Sequence, residues 1–260
     1  MREGMVTVAA PKWRALADKI AAQIDAGEYA PGEELPHIRA LVAAGEGSGA
    51  TVHRAYQTLA AEGYVTSSRG HGTRVRDRRR IRVPLSRYGA VLTPGGTMGP
   101  WESATAAQGL AGGMTVLPPE QLAAPADIAA ALSISEGDPV VCRTRQATIG
   151  ADVVQVQSAY YPLDIAAAAG LDGPGKVTGG ILGAMVGAGL HPTEADERVT
   201  AWVPSPAEAA ALSIGSTVPV LRVERVTRDQ TGRPVEVVRI TGAADRLELV
   251  YDRLPLTPGV

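Results

Sequence analysis

The chain has 260 residues, room for two domains of ordinary size, and a hydrophobic content of 45%, enough for a sizeable core. A net charge of -2 gives no global pull toward nucleic acid, and the single cysteine, Cys142, excludes an internal disulfide and a cysteine-built metal cluster. No apolar run reaches the length of a membrane span and the opening MREGMVTVAAPKWRAL lacks the apolar core of a secretion signal, so a soluble cytoplasmic protein with no membrane partner, metal or cofactor is expected.

Trp13, Leu16, Ala17, Ile20 and Ile24 fall at helical spacing and predict a first helix with one apolar stripe, closed by Gly27. Pro31-Gly32 reads as a turn. Pro36 suits the start of a second helix running to about Ala44, where GEGSG (45–49) breaks it. Ser48 is placed to cap a third helix with Val52, Ala55, Tyr56 and Leu59 inward and Gly63 at its end. Its outward face carries Thr51, His53, Arg54 and Gln57, side chains that hydrogen-bond base edges and phosphates. YVTSS and TRVR then predict a short hairpin through Arg69, Gly70, His71 and Gly72. A helix held rigidly on a preceding one is a device for the DNA major groove, and a hairpin beside it reaches phosphates or the minor groove.

Charge follows the same division. Residues 1–80 hold 12 Lys and Arg against 9 Asp and Glu, the remainder 13 against 18, and eight arginines stand between Arg69 and Arg87 with one acid, Asp77. A basic segment on a mildly acidic body is the footprint of a DNA-binding module on a carrier domain; a solvated linker would leave the same trace. Residues 77–101 read as that linker, opening with one strand, RIRVPLS. In WESATAAQG, Ser103 and Thr105 either face an anion or cap a helix.

The C-terminal part contains a weak repeat. ALSISEGDPVVCRTRQ (131–146) parallels ALSIGSTVPVLRVERV (211–226). Each copy predicts an Ala-rich helix, a turn at Gly137 or Gly215, a strand, a turn near Gly150 or Gly232, and a returning strand. Between the copies lie a helical region near 179–189 and a strand near 194–203. Two helix-plus-hairpin halves give one antiparallel sheet with helices packed on one face, so the fold class is α+β. Arg143 and Arg145 share a face of their strand and suit a bidentate clamp on carboxylate or phosphate, or ion pairing across the sheet.

Residues 12–76 resemble the winged helix-turn-helix of the GntR family of bacterial repressors. The resemblance rests on the Pro31-Gly32 turn, Leu35-Pro36-x-x-Arg39, Ser48-x-x-Thr51-Val52, Ala55, Leu59, Glu62-Gly63 and Gly70-x-Gly72-Thr73-x-Val75. It implies that Arg39 contacts phosphate or a guanine edge, that Ser48 and Thr51 bind the backbone at the head of the recognition helix, and that Gly70 to Gly72 enter the minor groove. Read from the residues themselves, Arg69 and His71 at the wing tip are further DNA contacts, and Arg54 either substitutes for a missing cation or pairs within the domain. The pattern departs at Gly49 and His53, where the family carries arginine or a similar residue. Residues 102–256 resemble the UTRA effector domain of the HutC branch, whose fold is that of chorismate lyase. That resemblance implies an effector held by Arg143, Arg145, Gln155, Ser158, Tyr160 and Glu236, with Gln155 where members often have an acid.

The expected protein is therefore a transcriptional regulator, a repressor released from a near-palindromic operator by a small anionic or polar metabolite. Residues 1–76 would bind DNA and 102–260 would sense the effector and form a homodimer. Two other readings remain at this point: a DNA-binding protein whose sensor has lost its ligand, and a lyase-like enzyme, against which stand the DNA-binding module and the lack of converging His, Cys or paired carboxylates.

Overall fold

The computed structural model describes residues 10–68, 72–84, 99–177 and 179–252, so Arg69, Gly70 and His71 lie outside the described residues. Residues up to Arg79, with Pro204–Ala209 and Ser213–Val218, form one compact unit; Arg80–Val203, Ala210–Leu212 and the chain from Pro219 form another.

In the first unit α1 (Lys12–Asp25) buries Leu16, Ala17, Ile20 and Ile24 against the Val52, Ala55, Tyr56 and Leu59 face of α3 (Gly49–Ala61). Each fully buried aliphatic side chain contributes roughly 1.5–3 kcal/mol. Between them α2 (Ile38–Ala43) starts two residues later than the position of Pro36 suggests. The Pro36 carbonyl accepts a 2.5 Å hydrogen bond from the Tyr56 hydroxyl, and His37 is extended at ψ 149°. Burial pushes the Tyr56 hydroxyl up to about 12, so it stays a donor. Ser48 caps α3, its Oγ accepting the Thr51 N–H at 3.2 Å.

β1 (Val65–Ser68) and β2 (Gly72–Val75) pair antiparallel, Val65 opposite Val75. Residues 32–35 add a third, irregular strand: the Gly32 N–H donates to the Val75 carbonyl, Val75 to Glu33 and Leu35 to Thr73, each at 2.8 Å. This ties Leu35 into the core and fixes the hairpin to the segment before α2.

The end of α3 is closed twice. Gly63, at φ +79°, lets its own N–H reach the Ala60 carbonyl and the Tyr64 N–H reach that of Leu59. The carbonyl of Ala61 is satisfied from far along the chain: the Thr217 hydroxyl donates to it at 2.7 Å and the Thr217 N–H at 3.3 Å.

The second unit is built on a seven-stranded sheet. β4 (Gly112–Val116), β5 (Glu120–Ala123), β6 (Pro139–Ile149), β7 (Asp152–Pro162), β8 (Pro192–Trp202), β9 (Val220–Asp229) and β10 (Pro234–Ala243) run in the order β4-β6-β7-β10-β9-β8, with β5 also on β6; all pairs are antiparallel. The repeat is present as α5 (Ala126–Leu132) before β6–β7 and α8 (Pro206–Ala211) before β9–β10, the two returning strands lying side by side. The remaining helices are α4 (Pro100–Ala106), α6 (Leu163–Ala168) and α7 (Gly180–Gly187).

Helices cover both faces, not one. Ile128 and Leu132 of α5 pack on Val140, Tyr160, Val226 and Val237, while α6 and α7 bring Ile165 and Met185 to Val141, Ala159, Tyr161 and Val238. The apolar runs at 140–142 and 159–161 put large side chains alternately on either face, and both must be buried. At its other end the sheet is closed by α4 and by β3 (Ile81–Pro84), which lies within the stretch read as a linker and pairs parallel with β11 (Leu247–Val250).

Candidate functional site

The helix-turn-helix presents Arg39 and His53 exposed, with no ion pair or hydrogen bond among the described residues, and Thr51 half-buried at the head of α3. Gly49, exposed in the first turn, has open space where a Cβ would stand, so nothing in the fold demands glycine there. Arg54 is not poised beside His53. Its guanidinium stacks over the Trp13 ring, 4.4 Å from the centroid, and ties α3 to α1. Gly72 has a packing reason: at φ +72° a Cβ would lie 2.2 Å from the Glu34 carboxylate, which Arg74 grips at 2.9 Å.

The basic run is largely spent inside the domain. Arg74 holds Glu34 and the Gly32 carbonyl, Arg78 pairs with Asp25 and stacks on Tyr64, and Arg79 forks onto Asp77 at 2.8 Å. The excess of positive charge is thus partly an internal ion-pair set, while Arg39 on α2 is exposed and in no ion pair among the described residues.

In the second unit the six expected effector residues do not converge. Arg143, 1% exposed, donates to the carbonyls of Leu171 (2.6 Å), Gly173 (2.7 Å) and Gly175 (2.5 Å) and so braces the loop after α6. Ser158 and Tyr160 pair with Thr144 and Cys142 on the α5 face, opposite the face that carries the arginines. Gln155 is buried opposite Ala147 and Gly242, roughly 20 Å along β7 from Tyr161 at about 3.3 Å per residue. Thr105, read as an anion contact or a cap, is buried and donates to the carbonyls of Trp101 and Glu102 inside α4.

What does converge is Glu236, Tyr161, Arg225, Thr227 and Arg145. Glu236, 1% exposed, accepts from the Tyr161 hydroxyl at 2.7 Å, Arg225 Nη2 at 3.0 Å and the Thr227 hydroxyl at 3.2 Å. Burial alone would raise its carboxyl; Arg225 and Arg145 and the hydrogen bonds from Tyr161 and Arg225 outweigh burial and hold it below the ordinary range. Burial, with Glu236 beside it, pushes the Tyr161 hydroxyl well up. Two guanidiniums flank one buried carboxylate, Glu194 lines the cleft beside Arg225, and the Nε of Arg145 is buried with no hydrogen-bond partner among the described residues.

An open cleft of about 160 Å³ lies over this cluster, lined by Leu182 of α7, Pro192, Thr193, Glu194 and Ala195 of β8, and Arg225 and Thr227 of β9. It is smaller than the roughly 300–1,000 Å³ of drug-sized sites. Thr227 stands opposite Glu236 across the β9–β10 hairpin because a β-bulge between Pro234 and Glu236 shifts the register, so counting from the turn at Gly232 alone does not pair them. Tyr161 follows from strand alternation, being the neighbour of Tyr160 on the other face. Among the described residues no group of His, Cys, Asp and Glu could hold a metal ion, and no helix is long and apolar enough to cross a membrane.

Two family models match the chain: bacterial regulatory proteins of the gntR family over residues 13–75, and the UTRA domain over residues 107–248. An uncharacterized HTH-type transcriptional regulator of Streptomyces coelicolor is 38% identical over 254 residues, covering 94% of this chain and 93% of the relative. Another from Rhizobium meliloti is 29% identical over 248 residues, covering 91% and 93%. Among solved structures, PhnF from Mycobacterium smegmatis shares the fold with a TM-score of 0.57 over 93% of this chain and 100% of its own, at 22% identity.

Proposed function

This chain belongs to the GntR family of bacterial regulatory proteins and carries a UTRA domain, and from that premise we propose that it is a cytoplasmic repressor that grips a near-palindromic operator as a homodimer and lets go when a small anion binds its C-terminal domain. The family and the relatives are transcriptional regulators, not enzymes. We assign residues 1–76 to the DNA module, 77–101 to the connection, whose strand β3 packs within the second unit, and 102–260 to sensing and dimerisation.

The reading head is Arg39, Ser48, Thr51 and His53, with Arg69, Gly70, His71 and Gly72 as the wing. Arg39 sits on α2 and Thr51 and His53 at the head of α3, so phosphate and base contacts come from one pair of packed helices. Two heads on a two-fold axis meet half-sites about one helical turn, roughly 34–36 Å, apart.

The observation that carries the sensing role is the buried Arg145 Nε, which has no hydrogen-bond partner among the described residues and stands beside Glu236. Glu236 is already satisfied by Tyr161, Arg225 and Thr227, while Arg145 keeps a buried Nε to give. A carboxylate or phosphate entering over Arg225 completes that arginine pair. Leu182, Pro192 and Ala195 accept the apolar remainder of a small metabolite. Release follows only if this anion binds one arrangement of the DNA heads better than the other.

Genome-wide mapping of bound sites, followed by gel shifts on the recovered motif, tests the reading. The motif is expected to be two-fold symmetric, and Arg39→Ala to lose it while staying folded and dimeric. Unchanged binding by Arg39→Ala would sink the assigned DNA face.

A further inference from the structure

Helix α3 ends on a carbonyl that neither the helix nor its Gly63 turn satisfies. The Gly63 closure takes care of Leu59 and Ala60, but Ala61 lies one position further, where a helix leaves its last acceptors open. Both the hydroxyl and the N–H of Thr217 fill that place. The approach is so close that Gly215 has no room for a side chain: a Cβ there would stand 2.2 Å from the carbonyl oxygens of both Ala60 and Ala61, backbone atoms that cannot step aside. Its backbone does not require glycine, since its φ lies outside the positive region. Glycine at 215 is thus a contact requirement. Val218 completes the grip, its Cγ2 filling the space beside Gly63. All of this lies within one compact unit, to which Ser213–Val218 belongs.

We propose that Ser213–Val218 is a positioning element for the recognition helix, with Thr217 and Gly215 as its two working residues, and that it is the strap through which the sensor domain acts on DNA binding. One residue, Pro219, separates it from β9, the strand that carries Arg225 and Thr227 under the cleft. A shift of β9 along its own axis pulls the strap directly. Loss of the strap frees the last turn of α3, and operator affinity falls by the fraction of time the helix is out of its reading position. This rests on the reading of α3 as the recognition helix.

The test uses the full chain and an operator duplex selected in vitro from random sequence. Thr217→Val, which removes the hydroxyl at an exposed site and keeps the shape, is expected to bind about threefold more weakly, the low end of one lost hydrogen bond. Gly215→Ala, which drives the strap off the carbonyls, is expected to bind about tenfold more weakly or worse. Thr217→Ser restores wild-type affinity, and hydrogen exchange at Thr58–Tyr64 quickens in the first two variants and not in the third. The slope of affinity against salt stays as in wild type, because no phosphate contact is lost. Wild-type or tighter binding by both Thr217→Val and Gly215→Ala overturns the strap. Arg39→Ala in the same assay separates the two failures: if it also binds normally, the recognition helix is misassigned; if it alone loses binding, only the strap falls.

Discussion

Glu236 shows how one buried residue can hold a site in tension. A carboxylate with 1% exposure stands in a sheet because Tyr161, Arg225 and Thr227 give it three hydrogen bonds. Taking one partner away from a buried ion pair costs more than the pair itself is worth, because the other charge stays uncompensated. Glu236→Gln is expected to lower stability at pH 7 by roughly 3–5 kcal/mol, read as a fall in the thermal midpoint. The pH dependence carries a second signature. The folded carboxyl is held below its ordinary value of 4.5, so its contribution is complete above that value and drains away as pH falls through the lower folded one. The variant should therefore lose part of the wild type's acid sensitivity below about pH 4.5; an unchanged acid limb would mean Glu236 is not ionised in the folded protein.

At the scale of elements, the loop after α6 is held by a cation instead of by packing. Arg143 reaches from β6 to three carbonyls of residues 171–175. Arg143→Ala is expected to cost about 3 kcal/mol or more, charged hydrogen bonds being worth roughly 1.5–3 kcal/mol each before the loop relaxes. Hydrogen exchange should quicken between Leu171 and Val177 with the anion response kept. A stable variant that has lost the response would return Arg143 to the ligand. Lysine is no substitute, lacking the planar fork that spans separate acceptors.

The same residue marks where sequence reading stops. Elements with local signals were legible: the apolar stripes of α1 and α3, the Ser48 cap, the turns at Gly63 and Gly232, and the doubled helix-plus-hairpin. Their spacing and the motif offsets carried the family. What was not legible depends on partners far along the chain. Arg143 and Arg145 share a face, yet one braces a loop and the other stands by Glu236, a difference made by residues 171–175. Tyr160 and Tyr161 differ by one step of alternation, which decides between α5 and the cleft. Arg54, adjacent to His53 in sequence, is taken by Trp13 from α1. No local pattern announces that Thr217 will cap α3.

At the scale of the whole molecule, one chain joins a reader of polyanionic DNA to a cleft whose wall includes Arg225, with Arg145 and Glu236 beside it. The reader keeps Arg39 and the head of α3 after its neighbours have paired with Glu34, Asp25 and Asp77. If the arginine that the motif is expected to carry at the position of Gly49 meets a phosphate, its absence here lowers the salt dependence of binding by about one ion. A coupling differential of about 1–3 kcal/mol between effector and operator would move operator affinity about 5- to 150-fold.

The central claim is that a small anion held at Arg145 releases this protein from DNA. The direct measurement is fluorescence anisotropy of the selected operator duplex bound to wild type and to Arg145→Ala, titrated with acetate, butyrate, benzoate, inorganic phosphate and glycerol 3-phosphate at constant ionic strength. At least one of these anions is predicted to release the wild type and to leave Arg145→Ala bound, with both proteins equally tight on DNA beforehand. Release of both proteins by the same anion at the same concentration, or of neither by any, would contradict it.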